Sequence, residues 1–65
     1  MIKVSRYYIS LDLLPEYIKL YVRYITSDYI PCSTYNEAGD LVMSIVDKDT
    51  FAYFIKILNE NSIIK

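Results

Sequence analysis

The stretch from Leu41 to Leu58 constrains this chain most. Leu41-Val42-Met43-Ser44-Ile45-Val46 is an almost unbroken apolar run of strand length, followed by Asp47-Lys48-Asp49. Phe51, Phe54, Ile55 and Leu58 then recur at the i, i+3, i+4, i+7 spacing of one helical face. A strand and a helix joined this closely offer each other apolar surface, and the upstream residues must complete the core. The spacing predicts a helix capped by Asp47 or Asp49, running to about Glu60 and stopped by Asn59-Glu60-Asn61. The continuous apolar run predicts an interior strand.

Upstream, Ile2 to Leu11 reads as a first strand. Its alternation is imperfect: Ile2, Val4 and Tyr8 share one face, Tyr7, Ile9 and Leu11 the other, and Arg6 interrupts the first set. Two part-apolar faces predict a central strand, or a bulge near Arg6. Ser10 or Asp12 can then cap a helix, with Pro15 in its first turn. On that helix Leu14, Ile18, Tyr21 and Ile25 form the expected core face with Val22 beside it. Glu16, Lys19, Arg23 and Thr26 lie opposite. A strand from Leu20 to Thr26 is the competing reading. Tyr29 to Asn36 reads as the next strand, and Pro31, which lacks a ladder donor, places it at a sheet edge. Glu37-Ala38-Gly39-Asp40 is a hairpin turn whose glycine supplies a positive φ. Ser62 to Lys65 reads as a fraying tail or a short last strand.

The order is β-α-β-β-α, with an optional terminal β. It predicts a single α+β domain over residues 1–65: a small two-layer sandwich with two helices on one face of a ferredoxin-like antiparallel sheet. The first and third predicted strands would be central and the second an edge. If Ser62 to Lys65 does not pair, the first strand is exposed and edge-to-edge pairing into a homodimer follows.

Composition bears on stability and on chemistry. A chain of 65 residues buries a small share of its surface, and its lone Cys32, with no His, provides neither an internal disulfide nor an ordinary zinc set. A dense core or oligomerisation remains, and an apolar fraction of 54% suits both. A net charge of −1 argues against nucleic-acid binding, which needs clustered Lys and Arg. The predicted topology is shared with RNA-recognition domains, but the third strand has no aromatic residue for base stacking. No run approaches the ~20 apolar residues of a membrane span, and no signal peptide is read, so the free thiol points to a reducing cytoplasm.

Catalysis is not expected. The commonest general base is missing, and Cys32 has no activating neighbour in sequence. Asp47 and Asp49 fit a helix cap better than a cation site. The single Gly allows no phosphate loop, and no cofactor is expected. What remains is surface. Tyr17, Leu20 and Tyr24 form a second stripe on the first helix, and Tyr53 and Ile57 flank the core face of the second. They either thicken the core or make an aromatic patch for a protein partner. The bias toward Ile, Tyr, Asn and Lys is typical of AT-rich coding, as in many phages and low-GC bacteria. The expectation is a non-catalytic interaction module, encoded by a phage or mobile element and inhibiting a host protein or defence system in the host cytoplasm. A homodimeric small-molecule-sensing domain is the alternative, although the loop from Ser10 to Leu14 lacks the usual Gly.

Overall fold

The chain is described here by a computed structural model covering residues 1–63. Its elements are β1 (Ile2–Val4), β2 (Tyr7–Ile9), a 3₁₀ turn (Leu11–Leu13), α1 (Leu14–Arg23), β3 (Tyr29–Tyr35), β4 (Leu41–Asp47) and α2 (Lys48–Ile63). The fold is α+β: a four-stranded antiparallel sheet and two helices.

The first predicted strand is in fact a hairpin. The chain turns at Ser5-Arg6, and Val4 pairs with Tyr7, Lys3 with Tyr8 and Ile2 with Ile9. Ser5 has a φ of 57°, the only positive value outside glycine among the described residues. A positive φ at the first central residue alone is the mark of a II′ turn, whose twist suits a two-residue hairpin. The turn also explains the imperfect alternation. It pairs even-numbered positions with odd-numbered ones, so Ile2, Val4, Tyr7 and Ile9 share one face. No bulge is needed.

Strands follow chain order, β1-β2-β3-β4. This meander replaces the expected ferredoxin-like order. The apolar run of β4 is the outermost strand, not an interior one, and only Val46 within it is buried. β3 lies between β2 and β4, but β2 reaches it only at Tyr8 opposite Tyr35. Pro31 therefore has an open side, as its missing donor requires. The β3–β4 hairpin closes through Asn36-Glu37-Ala38-Gly39-Asp40. There Gly39 takes a φ of 87° and its N–H donates to the Asn36 carbonyl at 2.9 Å.

The core lies on one face of the sheet. Ile30, Cys32 and Thr34 of β3 are buried, with Val4, Ile9 and Val46. Phe51, Phe54 and Leu58 of α2 are fully buried, as their spacing predicts, and Ile55 packs against them. Asp47 caps α2: its Oδ2 accepts the Thr50 N–H at 3.1 Å. The helix continues through Ser62 and Ile63, so these residues do not start a terminal strand. Residues 64 and 65 of that expected tail lie outside the described residues.

The face of α1 differs from the predicted one. Tyr17 is fully buried, while Ile18, Val22 and Ile25 are 45%, 67% and 52% exposed. Leu14, Leu20, Tyr21 and Tyr24 pack against the core from its margin. The helix ends at Arg23, which leaves Ile25 outside it and the competing strand reading without support. Two apolar stripes were available, and the one carrying Tyr17 turned inward. Its ring meets Phe51 edge-on at 5.1 Å and stacks on Phe54 at 5.8 Å. Such aromatic pairs add to what area burial alone provides.

The two helix faces separate in a stability measurement. Phe54→Ala should cost ~3–5 kcal/mol and unfold most of a domain this small. Ile18→Ala should stay within ~0.5 kcal/mol. Urea denaturation followed by circular dichroism checks both, and a large loss in Ile18→Ala would reverse the assignment of the α1 face.

Candidate interaction surface

The five residues expected to form an aromatic docking patch do not come together as one. Tyr17 is at the centre of the core. Leu20, Tyr24 and Ile57 are half-buried and pack against it. Tyr24 also carries the Arg23 guanidinium over its ring at 5.9 Å. Tyr53 alone is well exposed. Four of the five therefore serve the core or its margin.

Tyr17 has a second role. Its hydroxyl donates to the backbone carbonyl of Ser33 at 2.5 Å. Ser33 lies in the stretch of β3 that β2 leaves unpaired. An unpaired carbonyl at a half-buried strand edge is costly, and Tyr17 supplies the missing donor from α1. Alongside this contact runs a groove bounded by Glu16, Lys19 and Arg23 of α1 and by Pro31 and Met43 of the sheet.

The direction of the Ser33 carbonyl agrees with the hydrogen-bond pattern of the sheet. At the two ends of the β3–β4 ladder, Asn36 N–H donates to the Asp40 carbonyl at 2.9 Å and Lys48 N–H to the Asp28 carbonyl at 2.8 Å. Antiparallel ladders alternate hydrogen-bonded and non-hydrogen-bonded pairs. Stepping inward, the bonded pairs are Thr34–Val42, Cys32–Ser44 and Ile30–Val46. Tyr35–Leu41, Ser33–Met43 and Pro31–Ile45 are the non-bonded pairs. Backbone groups of these residues point away from the partner strand. On β3 they face β2 or α1. On β4, Leu41, Met43 and Ile45 direct N–H and C=O to a side on which the described residues form no further strand.

The outer face of the β3–β4 hairpin is largely apolar, with Ser33 and Asp47 as its polar members. Leu41, Met43 and Ile45 are 55%, 71% and 66% exposed, and Tyr29 on β3 is 63% exposed. The register sets Ile45 beside Pro31 and Leu41 beside Tyr35 on this same face. The Tyr35 hydroxyl is held by the Asp12 carboxylate at 3.0 Å. This surface escaped the sequence reading because the continuous apolar run of β4 predicts a buried, interior strand.

The remaining chemistry is subdued. Cys32 is buried, and burial, followed by the Glu16 charge, pushes its thiol up to about 12. A neutral thiol is a poor nucleophile. Burial also raises the Tyr17 phenol well above its ordinary value. The Thr50 side chain, then its backbone N–H, hold the Asp47 carboxyl below its ordinary range, as befits a cap. Among the described residues no three His, Cys, Asp or Glu side chains gather as a metal site would need. Among the described residues no helix is long and apolar enough to cross a membrane. Comparison with known protein families, curated proteins and solved structures finds no match.

Three outcomes follow from this geometry. Tyr17→Phe keeps the ring but strands the Ser33 carbonyl, and should cost ~1–2 kcal/mol in urea unfolding with an unchanged denaturant slope. Cys32 and Tyr17 both hold their protons more tightly folded than unfolded. The stability this gives is intact below the unfolded thiol value of about 8.5 and is lost as pH climbs from there toward the folded Cys32 value of about 12. Urea midpoints should therefore fall on the alkaline side, less steeply in Cys32→Ala. At neutral pH, iodoacetamide should label Cys32 only after unfolding.

Proposed function

We propose that this chain is a non-catalytic protein-interaction module whose docking surface is the outer sheet face, with the open edge of β4 at its border. The observation that carries the reading is the exposure of Tyr29, Leu41, Met43 and Ile45 on one face. Apolar side chains contiguous in this way usually mark protein contacts. Tyr and Met suit such a surface, offering large apolar area with a polar or polarizable end. In this reading both helices cover the inner face. The one-sided burial of β3 and the packing of Tyr17, Phe51 and Phe54 in a single cluster support that arrangement.

The surface replaces the helix aromatics as the place where a partner binds. The setting we propose is a phage or mobile-element accessory protein that inhibits a host protein or defence system by occupying it, in the host cytoplasm. The AT-rich composition and small size support that setting. Inhibition by contact requires only a stable scaffold and an adhesive face.

The test pairs capture with surface variants. The tagged chain is incubated with lysate of its source cells, and the protein retained is identified and titrated. Tyr29→Ala should weaken that affinity by ~2 kcal/mol, with the circular dichroism spectrum unchanged. Val22→Ala, equally exposed but on α1, should leave affinity alone. The opposite pattern would move the site to the helix and remove the sheet face from consideration.

A further inference from the structure

The open stretches of the sheet are treated unequally. β1 ends one side with three residues, one of them Lys3. The open stretch of β3 carries Pro31 and is covered by Tyr17 of α1. Short strands, lysine, proline and a covering helix are the devices by which sheets block unwanted pairing. β4 has none of them. It is seven residues long, with no Lys, Arg or Pro, and its only charge is Asp47 at the end.

We propose that β4 pairs antiparallel with β4 of a second copy, Ser44 opposite Ser44, joining the two four-stranded sheets into one. The inference rests on the reading of the β4 border as a docking edge and names its occupant.

The strand is its own complement. A two-fold axis normal to the sheet at Ser44 sets residues of equal parity across from one another. Met43 then meets Ile45 of the other copy. Both residues direct their backbone groups outward, so they form a hydrogen-bonded pair, and their exposed side chains meet on the outer face. On the inner face Val42, itself 39% exposed, meets Val46 of the other copy. The two Ser44 residues form the close, non-bonded pair on the axis.

Charge fits as well. The residues flanking β4 are Asp40 and Lys48, of opposite sign. In this register Asp40 of each copy stands at the end of the strand where Lys48 of the other emerges. Lys48 has its ammonium at this end, donating to the Ile25 carbonyl. No like charges oppose each other anywhere along the pair. The outer faces of the two copies become continuous, so a partner would meet two linked apolar surfaces.

Sedimentation of the full chain over a concentration series, with two sets of variants, decides the matter. The unaltered chain should dimerise. Met43→Lys places a charge on the edge and should raise the dimer dissociation constant about tenfold or more. Cys32 lies opposite Ser44 within the chain, so cross-linking is done in Cys32→Ala to prevent an internal disulfide. There Ser44→Cys should yield a covalent dimer under mild oxidation. Val42→Cys, which sits well along the strand from its own counterpart, should not. Circular dichroism confirms folding, and Met43→Lys, made with Cys32 present, does not depend on that background.

A chain that stays monomeric at every concentration overturns the inference, as does a dimer that survives Met43→Lys and gives no Ser44→Cys product. A monomer whose partner affinity still responds to Tyr29→Ala would remove the self-pairing and leave the outer face as the docking surface. A β4-paired dimer whose partner affinity ignores Tyr29→Ala would do the reverse.

Discussion

Tyr17 is the residue on which this fold turns. Its ring fills the centre of the core between Phe51 and Phe54, and its hydroxyl ends at the Ser33 carbonyl on the edge of β3. A small sheet with an unpaired interior edge must satisfy that edge or lose it to water. The hairpin of β1 and β2 reaches β3 at one residue pair and leaves the rest of that edge open. A helix with a long, rigid side chain can close the gap from the side. Phenylalanine could fill the core but not meet the carbonyl. Serine could meet a carbonyl but not span the distance. Tyrosine does both, and in doing so fixes the rotation of α1 about its axis.

The rotation decides which residues face water. With Tyr17 inward, Ile18, Val22 and Ile25 must point out. Periodicity alone could not choose, because both stripes of α1 have helical spacing. The choice depends on a non-local partner, the backbone of β3, which no local pattern contains. The second helix posed no such problem. Phe51, Phe54, Ile55 and Leu58 are its only continuous large apolar stripe, and they are where the spacing put them. The Asp47 cap was legible for the same reason: its chemistry is local.

The strands show the same division. Gly39 and Pro31 are punctuation that constrains the backbone whatever surrounds it. Gly39 takes the predicted positive φ, whereas β3, which Pro31 was expected to place at a sheet edge, lies between β2 and β4 and accommodates the proline in a stretch that β2 does not pair. The hairpin at Ser5-Arg6 was hidden because neither residue is a usual II′ turn former. Its trace in the sequence was the switch of the apolar set from even to odd positions after Arg6. A regular, unbulged strand cannot make that switch, and a two-residue turn must. β4 was misplaced because a continuous apolar run is what a strand covered on both faces also looks like. The candidate surface was therefore in plain sight and assigned to the interior, while of the two readings open for Tyr17, core or patch, its burial fits the core.

Apolar surface in a chain this short cannot all be hidden. The sheet face that carries Tyr29, Leu41, Met43 and Ile45 is left well exposed. Selection for solubility alone would favour charge on that face, and on β3 the small polar Ser33 is the only concession. β4 instead presents Leu41, Met43 and Ile45 beside an edge with no guard. In the same sheet, β1 is short and bears Lys3, and β3 bears Pro31. The ordinary defences are present wherever the edge is not wanted. Their absence on β4, beside the exposed Leu41, Met43 and Ile45, is a contrast within a single molecule. The exposed apolar side chains and the unpaired edge thus meet on one strand, β4.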